Sequence, residues 1–525
     1  MPITAVSPAG KFGLVTDLEV SELPMEAWDD CRNVRFQWKG AKLSPEAQGI
    51  YGTASVAPLW AIPVRADSGH LLWLYVGVAK AYCIDAGVHT NVTRQVLGVD
   101  EDYTATIRTR WVGGILGTIP VLTEGVSPPQ AWISPASGTL LVDLPNWPAD
   151  TTCNHIGVYK NFLVALDVTK SGTRYPTLVK WSHEADPGAV PISWDETDPT
   201  RDAGEQPLSE SPGYCVAQLP MRDLNVIYKQ DSVWGMQYIG GTYIFRFFKM
   251  FGDFGCPAKH QVTALPDGTH IVFTGQDLMR HNGQEARSIV TGFVRSVLDE
   301  IPEDSFQSAF LFSTGLATEV WLCWASSSSV DGTDQALVWN WETKVFSRRT
   351  VPNLYHALDG VLDFATGPDN WDSDSVTWDG NLDIWQKAAD APLLLRPVGL
   401  HATELLWLDS RETGITTPAY IQRSAIGFPL KTGNPPDVSS TKFLRRIWPR
   451  IAGTAGDTLQ VEIGSVMELN EPLVWKETRT WVIGTTKKVD VTVTGITFAI
   501  RISSTSGSVW TLSGIDWDYD FLGEL

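Results

Sequence analysis

The chain has 525 residues and a net charge of −20, and 43% of its residues are hydrophobic. This composition excludes wholesale disorder and provides apolar material for about two to four domains. The most apolar stretch, residues 71–84, is interrupted by Gly77 and Lys80 and is well short of the roughly 20 residues that a membrane span needs. The sequence also begins without the basic start and apolar core of a signal peptide, so we expect synthesis in a cytoplasm and no membrane insertion.

The negative charge is unevenly distributed along the chain. Residues 415–525 contain 11 Lys/Arg and 11 Asp/Glu, so the first 414 residues carry the whole excess of −20. A body this acidic is a poor candidate for gripping DNA phosphates, which requires patches of Lys and Arg. The charge indicates either a device for solubility or a surface that must not adhere to nucleic acid passing close by.

The first segment in chain order, residues 1–55, is predicted to be an extended arm. Proline and glycine interrupt its start, a brief helical turn is predicted at residues 25–30, and an alternating strand at residues 33–38 runs into a turn at Lys39-Gly40. Such arms commonly lie on the body of their own chain or on a neighbour.

Residues 56–400 are predicted to form one strand after another. The 23 tryptophans recur in runs where large and polar residues alternate, which is the period of a half-buried strand. Examples are Val320-Trp321-Leu322-Cys323-Trp324 and Leu337-Val338-Trp339-Asn340-Trp341. Hairpin signals occur at Asp267-Gly268, Asn282-Gly283, Asp331-Gly332 and Asp379-Gly380. This texture predicts the divergent blades of a β-propeller, although a pair of sandwiches could produce it as well.

Two further expectations concern this body. A helix is predicted over residues 285–301, because Ile289, Phe293 and Val297 recur at every fourth position and Val290, Val294 and Leu298 lie beside them. The tryptophans are predicted to be core wedges between blades rather than exposed platforms for sugars.

Residues 401–525 complete the predicted organisation. A connector at residues 401–414 precedes about six short strands, which suit a compact β-sandwich. The predicted fold is therefore all-β: an N-terminal arm over residues 1–55, a β-propeller body over 56–400 and a C-terminal β-sandwich-like domain over 401–525.

No motif indicates catalysis. Gly10-Lys11 is followed by Phe12 instead of the Ser or Thr of a phosphate-binding loop, and Ser375-Val376 break the order that a calcium loop would need after the acidic run at residues 369–374. The six cysteines stand alone and are predicted to be buried free thiols, and the nine histidines are spread singly. We therefore predict no catalytic, cofactor-binding or metal-binding residues, and no cofactor. A glycosidase pair among the 60 acids stays open, because propeller glycosidases bring their carboxylates from distant blades.

Three stretches together resemble the tail nozzle proteins of short-tailed bacteriophages, also called tail tubular protein B-like or packaged-DNA stabilisation proteins. The first contains Gly13-Leu14-Val15-Thr16-Asp17 and Ala27-Trp28-Asp29-Asp30-Cys31-Arg32-Asn33-Val34-Arg35-Phe36. The second contains Ile156-Gly157-Val158-Tyr159, Val179-Lys180-Trp181-Ser182 and Val226-Ile227-Tyr228-Lys229-Gln230-Asp231-Ser232-Val233-Trp234. The third contains Ile500-Arg501-Ile502-Ser503-Ser504 and Trp510-Thr511-Leu512-Ser513-Gly514-Ile515-Asp516. The match is one of texture and order and spans most of the chain.

The resemblance implies a non-enzymatic structural protein of the virion tail, assembled in the host bacterial cytoplasm. Six copies would form a ring beneath the portal and the adaptor, retain packaged DNA and enclose the channel for genome ejection, through which DNA passes without sequence-specific binding. Tail fibre or spike proteins would be further partners, although the chain is shorter than the larger nozzle proteins and its fibre-docking or distal tip domains are expected to be reduced or missing. The excess negative charge would then face the lumen of the ring.

Two other functions fit the same sequence. One is a carbohydrate-binding or carbohydrate-cleaving propeller that acts on the host surface, which predicts a pocket with an exposed tryptophan beside two carboxylates. The other is a cellular scaffold that uses a propeller as a docking platform.

Overall fold

The computed structural model describes residues 3–66, 69–241, 243–327, 331–362, 395–411, 415–429, 437–468, 471–504 and 508–524. Within these ranges the chain is almost entirely β, with one short helix and one 3-10 turn. The predicted all-β fold class is confirmed. The acidic run at residues 369–374 and the turn signal Asp379-Gly380 lie outside the described residues.

The arm is a series of seven short strands. They are β1 (Ile3–Val6), β2 (Gly13–Leu14), β3 (Ala27–Trp28), β4 (Asp30–Arg32), β5 (Val34–Gln37), β6 (Gly40–Leu43) and β7 (Glu46–Thr53). The helical turn predicted at residues 25–30 is wrong, because that segment enters β3 and β4 and takes its hydrogen bonds from neighbouring sheets.

The described residues between 46 and 411 form seven antiparallel blades. Blade 1 has β8 (Trp60–Arg65), β9 (Leu71–Val76), β10 (Ala81–Asp85) and β11 (Val88–Asn91), and it is followed by a hairpin of β12 (Gln95–Val96) and β13 (Val99–Asp100). Blade 2 has β14 (Val112–Leu116), β15 (Ile119–Thr123), β16 (Gln130–Ala131) and β17 (Val142–Asp143), and blade 3 has β18 (Thr151–Tyr159), β19 (Phe162–Lys170), β20 (Thr173–Trp181) and β21 (Gly204–Pro207). Blade 4 has β22 (Cys215–Met221), β23 (Leu224–Lys229), β24 (Val233–Tyr238) and β25 (Phe245–Phe251). Blade 5 has β26 (Val262–Ala264), β27 (His270–Phe273), β28 (Leu278–His281) and β29 (Ala286–Ser288), and it is followed by α1 (Arg295–Leu298) and a 3-10 turn (Glu303–Ser305). Blade 6 has β30 (Phe310–Thr314), β31 (Glu319–Trp324), β32 (Thr333–Asn340) and β33 (Phe346–Leu354). Blade 7 has β34 (His356–Val361), β35 (Leu395–Leu400) and β36 (Glu404–Arg411), and β7 is its fourth strand.

The blades close into a ring. The first strand of each blade contacts the first strand of the next, and β34 of blade 7 contacts β8 of blade 1, so these seven strands surround a central axis. Strand β7 completes blade 7 by pairing with β36. The propeller thus extends over residues 46–411 and includes strands that the sequence assigns to the arm and to the C-terminal domain. The periodicity of the sequence does not indicate this closure, because the closure depends on pairing between two strands about 350 residues apart.

The C-terminal strands form a sandwich together with part of the arm. These strands are β37 (Ala419–Ile426), β38 (Ser440–Gly453), β39 (Thr458–Val466), β40 (Val474–Val482), β41 (Val489–Gly495), β42 (Thr497–Ser504) and β43 (Trp510–Glu524). One sheet has the order β41-β38-β43-β6-β5, with β1 also paired to β43, and the other has the order β4-β37-β42-β39-β40. Apolar side chains of both sheets share one core, which continues into blades 5 and 6.

The arm therefore ties the molecule together. It supplies β1, β5 and β6 to one sandwich sheet, β4 to the other, β2 and β3 to the edge of blade 6 and β7 to blade 7. The propeller and the sandwich cannot separate unless these strand pairs break.

Most of the described tryptophans are buried, as the sequence predicts, whereas Trp38 is 67% exposed. Several act as wedges between blades. Trp73 of blade 1 donates Nε1–H to the carbonyl of Val361 in blade 7 at 3.1 Å, and its ring lies where a Cβ on Gly360 would stand at 2.4 Å. Trp111 donates to the carbonyl of Gly77 in the preceding blade at 3.1 Å.

The helix predicted over residues 285–301 is wrong. The segment contains β29, a turn and the four-residue α1. Gly292 has a φ of +79°, which no α-helix accommodates, and the Phe293 carbonyl accepts hydrogen bonds from the backbone of Thr16 and Asp17 in the arm. The apolar spacing has another cause: Val290, Val294 and Val297 are buried in the core shared with the sandwich.

Candidate functional site

The arm, blades 6 and 7 and the sandwich meet at one place, which we call the arm junction. Asn33, in the left-handed region with φ +57°, binds three segments there. Its Nδ2 donates to the carbonyl of Pro418 at 2.8 Å, its Oδ1 accepts from the backbone N–H of Thr350 at 2.8 Å, and its own N–H donates to the carbonyl of Arg348 at 2.9 Å. One asparagine thus joins the arm, the last strand of blade 6 and the segment that leads into the sandwich.

Arg35 extends the junction into blades 6 and 7. Its Nε and Nη2 donate to the two carboxylate oxygens of Glu319 at 2.6 and 2.9 Å, and Nη2 also donates to Asp409 Oδ2 at 2.6 Å. Arg349 donates to the other oxygen of Asp409 at 2.8 Å and to the carbonyl of Pro45 at 2.6 Å. Two guanidiniums and two carboxylates therefore form one buried network.

The charges in this network depend on one another. Burial opposes ionisation of Asp409, but the guanidiniums of Arg35 and Arg349 outweigh it and hold the pKa of Asp409 below its ordinary value. Burial likewise opposes the charge on Arg35, and the facing Glu319 and Asp409 outweigh it and raise the pKa of Arg35. Because the paired charges stabilise each other, removal of Arg35 would leave Glu319 buried without a cation, while Asp409 would keep Arg349.

A cavity of 290 Å³ lies beside the network. Its wall includes the carboxylates of Glu46 and Glu404, the apolar side chains of Leu406 and Ile415, and Ser44, whose buried Oγ lacks a hydrogen-bond partner in the described part of the chain. The volume would accept a small polar molecule.

Trp321 also lines this cavity, but it is fully buried. The Arg349 guanidinium lies 4.2 Å from its ring centroid, and Trp321 Nε1 donates to Glu319 at 3.0 Å. Since stacking on a sugar needs an open ring face, this tryptophan is not the exposed platform that the carbohydrate-active alternative predicts.

Residues in the other stretches that carry the resemblance also lie in the interior. Lys180 is buried and pairs with Glu196 and Glu205. Lys229 is buried and donates to the carbonyls of Leu208 and Ser211 at 2.7 and 2.6 Å. Lys180 therefore fixes the loop between β20 and β21 within blade 3, and Lys229 fixes β23 of blade 4 to the segment that joins blades 3 and 4.

Tyr228, beside Lys229, bridges two histidines of blade 5. Its hydroxyl lies 2.7 Å from His270 Nδ1 and 2.8 Å from His281 Nε2. Burial lowers the pKa of His270 to about 4 and that of His281, with a further contribution from His270, to about 3. Both rings are therefore neutral at pH 7, and the bridge joins blades 4 and 5.

The sequence predicts no catalytic, cofactor-binding or metal-binding residue, and the described ranges contain no group of three or more His, Cys, Asp or Glu side chains placed to hold a metal ion. Gly10 of the Gly10-Lys11 pair lies against the carbonyls of Gln37 and Gly40, where a Cβ would be 2.1 Å from the former. All six cysteines are free and buried, as predicted. None of the helices in the described ranges is long and apolar enough to span a bilayer.

Sequence reasoning did not single out the arm junction as a site. Arg35 lies in the Asn33-Val34-Arg35-Phe36 run that carries the resemblance, but its partners Glu319 and Asp409 lie 284 and 374 residues away. The available signal is a charged residue within an alternating apolar strand, as at Glu319 before Val320-Trp321. Such a charged residue needs a buried partner of opposite charge, but the sequence does not indicate which residue that partner is.

No model of a known protein family matches the chain, and no curated protein matches its sequence. Among solved structures, PorZ, a bacterial surface component of the type-IX secretion system of Porphyromonas gingivalis, is 7% identical over 73% of this chain and 43% of its own, with a TM-score of 0.34. The WD40 β-propeller domain of Doa1 is 8% identical over 70% of this chain and 96% of its own, with a TM-score of 0.34. AztD from Citrobacter koseri is 9% identical over 57% of this chain and 87% of its own, with a TM-score of 0.30. The chain spans less than half the length of PorZ, and identities this low carry no information on function.

Proposed function

We propose that this chain is a structural protein of the virion, the tail nozzle of a short-tailed bacteriophage. Six copies form a ring beneath the portal and the adaptor, retain the packaged DNA and enclose the channel for genome ejection. Tail fibre or spike proteins dock on the ring from outside. The chain performs this role through shape and rigidity, without catalysis and without a cofactor.

The observation that carries the proposal is the position of the first of the three stretches that resemble the family. Residues 27–36 supply β3, β4 and most of β5, and through Asn33 and Arg35 they fasten the sandwich to blades 6 and 7. A ring that holds DNA under pressure must transmit load without movement between its parts. An arm that enters four sheets provides this stiffness, because every relative motion of propeller and sandwich would break strand pairs.

The charge distribution supports the same role. The propeller and the whole arm lie in the first 414 residues, which carry the whole excess of −20. Contacts between phosphates and Lys or Arg release counterions and hold DNA in place, whereas an acidic lining avoids this binding and lets DNA slide. We therefore place the acidic side of the propeller toward the lumen of the ring.

Assembly with the neighbouring tail components tests the proposal. The chain would be co-expressed with the portal and adaptor proteins encoded in the same genome, and the purified assembly imaged by negative-stain electron microscopy. The expected result is a six-fold ring of about 347 kDa, six times 57.8 kDa, seated on the adaptor. A chain that never associates with the adaptor and co-purifies with host cytoplasmic proteins would contradict the proposal and favour the cellular scaffold.

The carbohydrate-active alternative is tested with the same protein. Purified chain would be incubated with capsule or lipopolysaccharide of the host, and released reducing sugars measured. The nozzle proposal predicts no release. Glu404 lines the 290 Å³ cavity, and Glu342 lies at an exposed turn of blade 6. If sugars are released by the wild type and by E342Q but not by E404Q, the chain is a depolymerase and the nozzle proposal is wrong.

A further inference from the structure

A group of basic side chains lies at one end of the propeller axis, where the innermost strands begin. We call Arg110, Lys259, His260 and His356 the channel cluster. Arg110 precedes β14 of blade 2, Lys259 and His260 precede β26 of blade 5, and His356 begins β34 of blade 7. The strands that carry these residues all belong to the ring around the axis.

Hydrogen bonds of the cluster cross the axis between blades that are not neighbours. The Arg110 guanidinium donates to the carbonyl of Gln307 at 3.1 Å, to that of Tyr355 at 2.6 Å and to that of Ser308. From the other side, Lys259 Nζ donates to the carbonyl of Arg110 at 3.2 Å. His260 Nε2 lies 2.7 Å from the carbonyl of Trp111 and carries the proton of that bond, since a carbonyl only accepts. Blade 2 is thereby linked across the axis to blades 5, 6 and 7.

The two cations of the cluster lack a counter-ion among the described residues. No carboxylate in those ranges lies within 4.0 Å of the Arg110 guanidinium or of Lys259 Nζ. Burial lowers the pKa of Arg110 to about 10 and that of Lys259 to about 8. Both side chains nevertheless keep part of their surface accessible.

The charged groups that face Lys259 do not neutralise it. Glu124 and Asp167 raise its pKa from beyond ion-pair distance, and Arg174 lowers it. Asp167 is already engaged, since it accepts from Arg174 Nη2 at 2.6 Å and from Asn154 Nδ2 at 2.7 Å. Glu124 Oε1 accepts from the backbone N–H of Ser127 at 3.1 Å, whereas its buried Oε2 has no hydrogen-bond partner in the described ranges and acts on Lys259 only from beyond ion-pair distance.

The imidazoles beside these cations are forced to be neutral. Burial, with Arg110 and Lys259 nearby, lowers the pKa of His260 to about 3. Burial, with His260 and Arg110, lowers the pKa of His356 well below its ordinary value. The two rings lie 4.3 Å apart between centroids. His356 is only 8% exposed, and its Nδ1 lacks a hydrogen-bond partner in the described ranges.

We propose that the channel cluster binds a small oxyanion, a phosphate or a carboxylate, at the mouth of the propeller axis. Cations withdrawn from water in proteins are almost always paired, and here the ammonium of Lys259, which keeps part of its surface accessible, has two N–H groups left to donate. An anion seated on this ammonium would supply the missing charge. It would also stabilise the protonated imidazoles, so that binding would take up protons from solution.

The site stands out because the rest of the body is acidic. An anion approaching this propeller meets net repulsion, and the channel cluster offers it cations without carboxylates in contact. The ligand could be free inorganic phosphate or an acidic side chain of a partner that enters the axis. Both present two oxygens to the same donors, and the experiment separates them.

The test measures the melting temperature of the full chain at pH 7 in sodium phosphate, in sodium acetate and in sodium chloride of equal ionic strength. The expected result is a higher melting temperature in phosphate than in chloride for the wild type and for K249M, and no difference for K259M. Lys249 is the matched control because it is an exposed lysine on the outer strand of blade 4. A response to phosphate alone identifies a phosphate site, and an equal response to acetate identifies a site for a carboxylate.

A second measurement does not depend on the folding of a variant. The wild type would be labelled biosynthetically with ¹³C-lysine, which leaves the ammonium intact, and the Lys259 Cε signal titrated by NMR with and without 20 molar equivalents of phosphate. Its pKa should rise from about 8 by one unit or more when the anion is bound. The proposal is overturned if neither anion raises the melting temperature above the chloride control, or if the Lys259 signal titrates identically with and without phosphate. It is also overturned if folded K259M responds to phosphate as the wild type does.

Discussion

An R35L variant should make the arm junction less stable by about 3–5 kcal/mol, the range measured when one partner of a buried ion pair is removed. The carboxylate of Glu319 is 2% exposed, and it would keep only the N–H of Trp321 as a donor. Asp409 would keep Arg349, so most of the penalty falls on Glu319. A loss of 3 kcal/mol corresponds to about a 100-fold increase in local opening.

Native-state hydrogen exchange measures this loss where it arises. A single unfolding free energy is poorly defined for a chain of several domains, whereas amide exchange reports the local opening of each strand. In R35L, the amides of β5, which carries Arg35, and of β31, which carries Glu319, should exchange about 100-fold faster than in the wild type. The matched control is R450L, since Arg450 also forms a two-bond pair with a carboxylate, that of Asp516, but is 49% exposed. That variant should lose less than about 1 kcal/mol.

A double variant separates the charge effect from simple loss of packing. In R35L/E319L the unpaired carboxylate is gone, and buried ion pairs replaced by apolar residues of similar size often cost little. At least half of the loss seen in R35L should therefore be recovered. If R35L exchanges no faster than R450L, or if the double variant is less stable than R35L, the arm junction is not held together by its charges.

Three further variants test other parts of the structure. G360A should destabilise the closure between blades 7 and 1 by about 1–3 kcal/mol, because its Cβ would stand 2.4 Å from the indole wedge above it, whereas G315A, with open space around its Cβ, should be neutral by thermal melting. H281Q should reduce the loss of stability on acidification. The wild-type imidazole has a folded pKa of about 3 and an ordinary value of 6.5, so the unfolded chain binds the proton more tightly and stability falls as pH drops from 6.5, by up to about 1.4 kcal/mol per pH unit. Chemical denaturation of H281Q and of the wild type across this pH range measures the difference. S44A should raise the free energy of unfolding by up to about 1 kcal/mol in chemical denaturation, because the buried hydroxyl has no hydrogen-bond partner to lose in the described part of the chain. A clear decrease would show instead that a molecule bound in the 290 Å³ cavity forms a hydrogen bond with this hydroxyl.

Much of the architecture can be predicted from the sequence because it depends on local patterns. Alternation predicts the strands, and Asp267-Gly268 and Asn282-Gly283 indicate hairpins where the structure has glycines at φ of +77° and +92°. The burial of the tryptophans follows from their place in alternating strands. These features require only knowledge of neighbouring residues.

The features that sequence reasoning misses are non-local. The apolar spacing at residues 285–301 predicts a helix, but it arises because the segment lies beneath blade 6 and the sandwich, and Gly292 at φ +79° prevents a continuous helix. The closure of blade 7 by β7 and the charge pairs of Arg35 join residues hundreds of positions apart. The channel cluster cannot be found from the sequence for the same reason, since Arg110, the Lys259-His260 pair and His356 come from three blades and lie far apart along the chain.

The central claim, that this chain is the nozzle that retains packaged DNA, is tested most directly by particles assembled without it. DNA in purified particles would be measured by sensitivity to nuclease, with and without the chain, and with the R450L variant as a positive control for assembly. The account predicts that particles lacking the chain package DNA and then lose it, so that most of it becomes sensitive to nuclease, while the wild type and R450L protect it. Particles that keep their DNA protected and eject it normally in the absence of the chain would contradict the account.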